Sequence, residues 1–295
     1  MTSDLRGALG FAAAMSLSGT IGIFVTEAGT SPFTTVFWRC LFAAGLLLIY
    51  AAARGLLKPP FPPLRLLLLA GVAGALLVGN WIALFAAFRH IPVGLATLLY
   101  NVSPFFALGF AAAFLGERPG WSPLGWVVIA FGGFALASRI DLLEGGSLTG
   151  VLLVLLAAAL YAGTTLIGRR LKAVPPPLTS LIQVALGALV LGPFSGGTAA
   201  VPADSWGWLL GLAALPTALA YILMYDAFPR LRLPVIAVVS FTYPLVTILL
   251  DGLVYHHHLG PAQWAGFGLI AFASLAVTLK WPLLPRRPAT TLQEN

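Results

Sequence analysis

Ten apolar runs follow one another along the chain with only short polar breaks between them, and nothing else in the sequence limits the fold so strongly. Their approximate limits are Gly7 to Val25, Pro32 to Ala53, Leu64 to Phe88, Pro92 to Gly116 and Pro123 to Ser138, then Leu148 to Ile167, Pro177 to Gly192, Trp206 to Phe228, Pro234 to Leu253 and Pro261 to Trp281. A hydrocarbon core of about 30 Å is crossed by roughly 20 helical residues, so each run is read as a span. Proline opens many of them (Pro32, Pro92, Pro123, Pro177, Pro234, Pro261), where a first-turn N–H has no helical partner to lose. Charged residues make up 8% of the chain and hydrophobic ones 59%, against about 25% charged in a soluble domain. With so little polar surface the chain is expected in a bilayer rather than in water. The first run is long enough to be a retained span and not a removable signal.

The net charge of +7 would suit a nucleic-acid binder, but the basic residues sit in short clusters between apolar runs, which marks cytoplasmic loops. An N-terminus in the cytoplasm puts Arg6, Arg54, Lys58, Arg65, Arg118, Arg169, Arg170, Lys172, Arg230, Arg232, Lys280, Arg286 and Arg287 on the inner side. Only Arg89 and Arg139 then fall outside, with Arg39 within a span. Both termini are therefore predicted to be cytoplasmic. The single cysteine, Cys40, excludes an internal disulfide and reads as a small packing residue.

The two halves resemble each other. Ala87, Phe88 and Pro104 recur 140 positions later as Ala227, Phe228 and Pro244, and Trp81 falls on Tyr221. Further upstream the offset is 144, where Gly19 and Thr20 meet Gly163 and Thr164, and Pro32 and Thr35 meet Pro176 and Thr179. The duplication divides the chain into a first five-helix repeat over residues 1–140 and a second over 141–295 with a short C-terminal tail. An odd number of spans in each copy makes the second enter the membrane from the opposite side. The expected fold is an all-α polytopic membrane protein of ten transmembrane helices, built as two inverted five-helix repeats. Such repeats belong to transporters, with the substrate near the midplane between the halves.

Short motifs extend this reading. Phe37-Trp38-Arg39-Cys40-Leu41-Phe42-Ala43, Phe114-Leu115-Gly116-Glu117-Arg118, Ser103-Pro104 and Tyr243-Pro244 stand in the order and spacing of the drug/metabolite transporter superfamily, EamA type, which the chain resembles over nearly its whole length. Within it the chain is most similar to the YddG-type exporters of aromatic amino acids. The resemblance implies a basket of ten helices around a central cavity, alternating access and a bacterial cytoplasmic membrane. In the second copy His256-His257-His258 replaces the glutamate region of the motif.

Transport needs polar and aromatic side chains facing a cavity, because such groups are costly against lipid. Leu77, Asn80, Trp81, Leu84 and Phe88 share one face of the third span, and Thr97, Tyr100, Asn101 and Pro104 follow in the fourth. The second half offers Tyr161, Thr164 and Thr165, then Tyr221, Met224 and Tyr225, then Ser240, Tyr243 and Thr247. An amphipathic substrate could stack on Trp81, Tyr100, Tyr221 or Tyr243 while Asn80, Asn101 and Ser240 bond its polar end. Trp38 and Tyr161 complete the substrate-binding set. Intramembrane Asn, Ser and Thr also serve as glue between helices, and Trp206, Trp208 and Trp281 read as interfacial belt. Arg39 is expected to meet a substrate carboxylate or an ion, or else to snorkel to the outer face. His90 is a proton carrier or an ordinary loop histidine.

Three successive histidines diverge in direction, so His256 to His258 are not expected to form a compact metal site. No Walker A lysine is present and Glu27, Glu117, Asp226 and Asp251 all lie near span ends, so neither an ATP motor nor a buried carboxylate relay is indicated. The expected activity is that of a secondary exporter of small amphipathic metabolites, foremost aromatic or neutral amino acids, without a cofactor, a metal or a nucleic-acid partner. Its partners are that small-molecule substrate and membrane lipid, with the oligomeric state open. A multidrug or cationic-compound exporter is the alternative, an intramembrane lipid-modifying enzyme a distant one, and a non-transporting scaffold is disfavoured by the duplication.

Overall fold

The fold comes from a computed structural model that describes residues 3–116, 121–138, 145–227, 230–231 and 233–282. Glu117, Arg118, Arg139, Phe228, Arg232, Arg286 and Arg287 lie outside the described residues. Fourteen α-helices follow in order among them: α1 (Ser3–Gly19), α2 (Ile21–Ala28), α3 (Pro32–Ala53), α4 (Leu64–Ala87), α5 (Val93–Tyr100), α6 (Ser103–Leu115), α7 (Trp121–Ser138), α8 (Gly145–Gly168), α9 (Pro176–Leu191), α10 (Trp206–Ala213), α11 (Ala220–Ala227), α12 (Leu233–Ser240), α13 (Thr242–Val254) and α14 (Pro261–Thr278). Among the described residues eight stretches, some formed by two consecutive helices, are long and apolar enough to cross a membrane, and the shorter apolar helices Trp121–Ala137 and Val238–Val254 stand at the fifth and ninth expected spans.

Local chemistry explains where four of the runs break. Pro104 and Pro244 lack the N–H that would continue α5 into α6 and α12 into α13. Near these breaks the side chains of Asn101 and Ser240 turn back on their own helices, Nδ2 donating to the Thr97 carbonyl at 2.8 Å and Oγ to that of Ile236 at 2.7 Å. Between α10 and α11 lies a π-helical segment, Ala214–Leu219, centred on Pro216. Pro216 cannot bond the Leu212 carbonyl four residues back, and the Thr217 hydroxyl does so instead at 2.7 Å. At the α1–α2 break the Thr20 hydroxyl bonds the Leu17 carbonyl at 2.7 Å.

The helices pair in a regular way. α4 packs on α8 and α9, α1 and α2 pack on α11 and α10, and α3 lies on α9, α7 on α14 and α5 on α13. Small residues permit the close crossings: a methyl on Gly187 would sit 2.7 Å from the Cys40 sulfur, so Cys40 is the packing residue expected of it.

Contacts define two ends of the bundle. At one, Gly7 meets Arg230, which pairs with Asp226, and the helix order brings Arg54, Lys58, Arg65, Arg169 to Lys172 and Lys280 to the same side. The opposite end is sealed. Gly22 abuts Val93, a methyl on Gly94 would stand 2.9 Å from the Asp251 carboxylate, and one on Gly19 would stand 2.7 Å from Val246. The Arg89 guanidinium donates to the Thr30 carbonyl at 2.9 Å and Tyr255 donates to Glu27 at 2.8 Å. Burial and this bond to a carboxylate hold the Tyr255 hydroxyl well above the usual phenol range, so it remains the donor of the pair.

Candidate functional site

The four broken runs meet around a cavity of about 450 Å³. α4 contributes Asn80 and Trp81, α5 Tyr100, the α5–α6 break Asn101, α8 Tyr161, α11 Tyr221, and α12 and α13 Ser240 and Tyr243. Arg39 of α3 reaches in between them. The lining runs toward the basic end through Phe11 and Thr278 and stops short of the sealed one at Ile21 and Pro216.

Trp38 and His90 are not among the walls. One residue earlier than Arg39 on the helix, Trp38 points away from the cavity and packs edge-on against Trp206, with centroids 4.7 Å apart, and against Phe37 and Phe42. His90 is exposed at the sealed end, where its Cβ packs at Gly150 of α8. The sequence pattern also missed some walls. Phe11, Met15 and Ser18 lie along one face of α1, and Ser274 and Thr278 one turn apart on α14.

The polar groups are less free than their types suggested. Asn80 is buried and uses both amide donors, one to the Tyr100 hydroxyl at 3.0 Å and one to the Ala157 carbonyl at 2.7 Å. It fixes Tyr100 and ties α4 to α8. The amide of Asn101 and the hydroxyl of Ser240 are likewise committed to their own helices. Their oxygens keep lone pairs, so these side chains can still accept a bond.

Arg39 stands apart. It is 1% exposed, its Nε–H donates to the Thr217 hydroxyl oxygen at 2.9 Å, and its guanidinium carbon lies 4.0 Å from the centroid of the Trp81 indole and 5.6 Å from that of Phe85. One face of Trp81 is thereby occupied by a cation, an attraction of about 2 kcal/mol when desolvated. Among the described residues Nη1 has no hydrogen-bond partner, and no aspartate or glutamate lines the cavity. Tyr100 and Tyr161 adjoin with centroids 5.7 Å apart, and Tyr221 meets Tyr225, which bonds Ser180.

The histidine tract lies elsewhere. His257 Nδ1 is 3.3 Å from the buried Asp251 carboxylate at the sealed end, whereas His256 is exposed in a left-handed turn with φ of 59°. Among the described residues no group of three metal-ligating side chains converges.

A cavity of aromatic and apolar walls in the middle of a helical membrane bundle, bounded by broken helices and holding a buried cation, has the build of a carrier for small molecules. The chain belongs to the EamA-like transporter family, which it matches twice, over residues 5–139 and 148–279. It is 31% identical to the uncharacterized transporter YxxF of Bacillus subtilis over 90% of this chain and 86% of that one. To the uncharacterized inner membrane transporter YedA of Escherichia coli it is 32% identical, over 85% and 82%. The pseudopaline exporter CntI of Pseudomonas aeruginosa is 30% identical over 70% and 72%. In fold it is similar to a protein of known crystal structure with a TM-score of 0.63 and 20% identity, over 95% of this chain and all of that one. The protein is thus a transporter and not an enzyme, and a multi-pass protein of the bacterial inner membrane.

Proposed function

We propose that the chain is a secondary exporter that moves small amphipathic metabolites, foremost aromatic or neutral amino acids, by alternating access. The observation that carries this reading is the cavity itself: about 450 Å³, in the range that encloses small organic ligands, with Trp81, Tyr100, Tyr161, Tyr221 and Tyr243 in its walls. Both parts of the chain supply these rings, so cargo would lie on the seam between two inverted five-helix repeats, 1–140 and 141–295. The helix pairings support that division, since exchanging the halves carries the α4–α8 contact onto that of α11 with α1 and leaves the α3–α9 and α7–α14 contacts in place. Thr35 and Thr179, matched in the repeat, each bond the carbonyl four residues back at the start of their helices.

The basic end is assigned to the cytoplasm by the positive-inside rule, with ten spans and both termini inside. The cavity then faces the cytoplasm and the seal of Gly19, Gly22 and Gly94 faces outward, the loading state of an exporter. A relative named for pseudopaline export supports the outward direction. Proteoliposomes loaded with tryptophan, phenylalanine or leucine test the assignment by saturable efflux, and its absence for all three removes it. Tyr100→Ala and Trp81→Ala should lower efflux about tenfold while leaving insertion intact; native rates in both would take the cargo out of this cavity. Export of cationic drugs is the rival reading, because aromatic walls attract cations. Inhibition by a cationic dye but not by tryptophan would favour it.

A further inference from the structure

We propose that the cavity selects its cargo by a carboxylate, taken end-on by the Nη groups of Arg39, and that Thr217 is the positioning residue that presents that edge. This rests on the transport reading above but adds the charge of the cargo and the device that reads it.

A guanidinium offers two ways to hold a carboxylate with paired bonds, side-on through Nε and one Nη, or end-on through both Nη atoms. Here the side-on route is closed, because Nε–H is engaged by Thr217 at 2.9 Å. One face is closed as well, by Trp81 at 4.0 Å. What remains is the Nη edge, where Nη1 is buried and unpartnered. A buried cation without an anion is destabilising by several kcal/mol, and no described lining residue supplies the anion. Cargo with a carboxylate would complete the pair. An organic cation entering the same space would meet a like charge in a medium of low dielectric, so Arg39 excludes the compounds that the tyrosine and tryptophan walls alone would attract.

Thr217 is oriented by the chain itself. Pro216 leaves the Leu212 carbonyl without its usual donor, the Thr217 hydroxyl proton goes to that carbonyl at 2.7 Å, and the oxygen lone pair is thereby turned to Arg39. The π-helical segment of one span thus aims the cation of another.

The test is calorimetric binding to the purified protein of matched acids and amines on two scaffolds, indole propionate against tryptamine and isocaproate against isoamylamine. The acid should bind at least about tenfold more tightly than the amine on one scaffold or both. Arg39→Gln should bring acid and amine together. Thr217→Val should weaken the acid about tenfold and leave the amine unchanged, with Thr217→Ser restoring the native preference. Amines that bind as well as the acids, or acids that fail on both scaffolds, overturn the proposal. Equal weakening of acid and amine by Thr217→Val removes the positioning role. Acid preference on the aliphatic scaffold alone sustains the carboxylate site and removes the aromatic part of the functional reading.

Discussion

Asn80 shows how a side chain of the expected type can have a different task from the expected one. Its place on the cavity face was legible from helical spacing with Trp81 and Leu84, but its partners, Tyr100 and the Ala157 carbonyl, come from chain segments 20 and 77 positions away. Spacing along one helix carries no information about such partners. Asn80→Leu keeps the bulk and removes both bonds, so cargo affinity should fall about threefold to tenfold through loss of a fixed Tyr100, with little loss of inserted protein. Tyr100→Phe should reproduce most of the deficit if the amide acts through that hydroxyl, and an unchanged affinity in both would show that neither group shapes the cavity. Trp38 makes the complementary case. It adjoins Arg39 in the motif but turns onto Trp206, so Trp38→Ala should lower the melting temperature while cargo affinity stays within about twofold of native.

Among the elements, the straight spans and the broken ones divide the work. Hydropathy located α3, α4, α8, α9 and α14 to within a few residues, because a continuous apolar run has one solution in lipid. It could not show that the eighth run contains a π-helical segment, since Pro216 within an apolar stretch is compatible with a kink, a bulge or an end. The seal between α5 and α13 was equally invisible, because it depends on Gly94 meeting a residue 157 positions later. Gly94→Ala puts a methyl 2.9 Å from the Asp251 carboxylate and should hold the two helices apart. A cysteine placed at Ser18 should then react with an impermeant maleimide added to the sealed side, and remain unreactive from that side when Gly94 is native. Cys40 is fully buried and should stay silent in both.

At the scale of the whole molecule, orientation is the reading that sequence supports and the helical bundle alone does not, because a bundle in isolation has no inside. Lys58→Cys should be labelled only from the cytoplasm and His256→Cys only from the opposite side; the reverse pattern would overturn the proposed orientation and with it the proposed outward direction of transport. Trp81 and Tyr221, which the proposed repeat matches to each other, both line the cavity. The described walls carry Arg39 but no acidic residue, and this has an electrical consequence. In a cell whose interior is negative, moving one unit of charge through the full potential is worth about 2.3 kcal/mol per 100 mV. In the proposed orientation the cavity opens to the cytoplasm and the fixed cation sits at the favourable potential, so the unloaded carrier would be drawn back to the state in which it accepts cargo. A monoanion that neutralises Arg39 lets the loaded form cross without that bias, and its exit runs downhill in voltage with no coupling ion, whereas a zwitterion leaves only along its own concentration gradient.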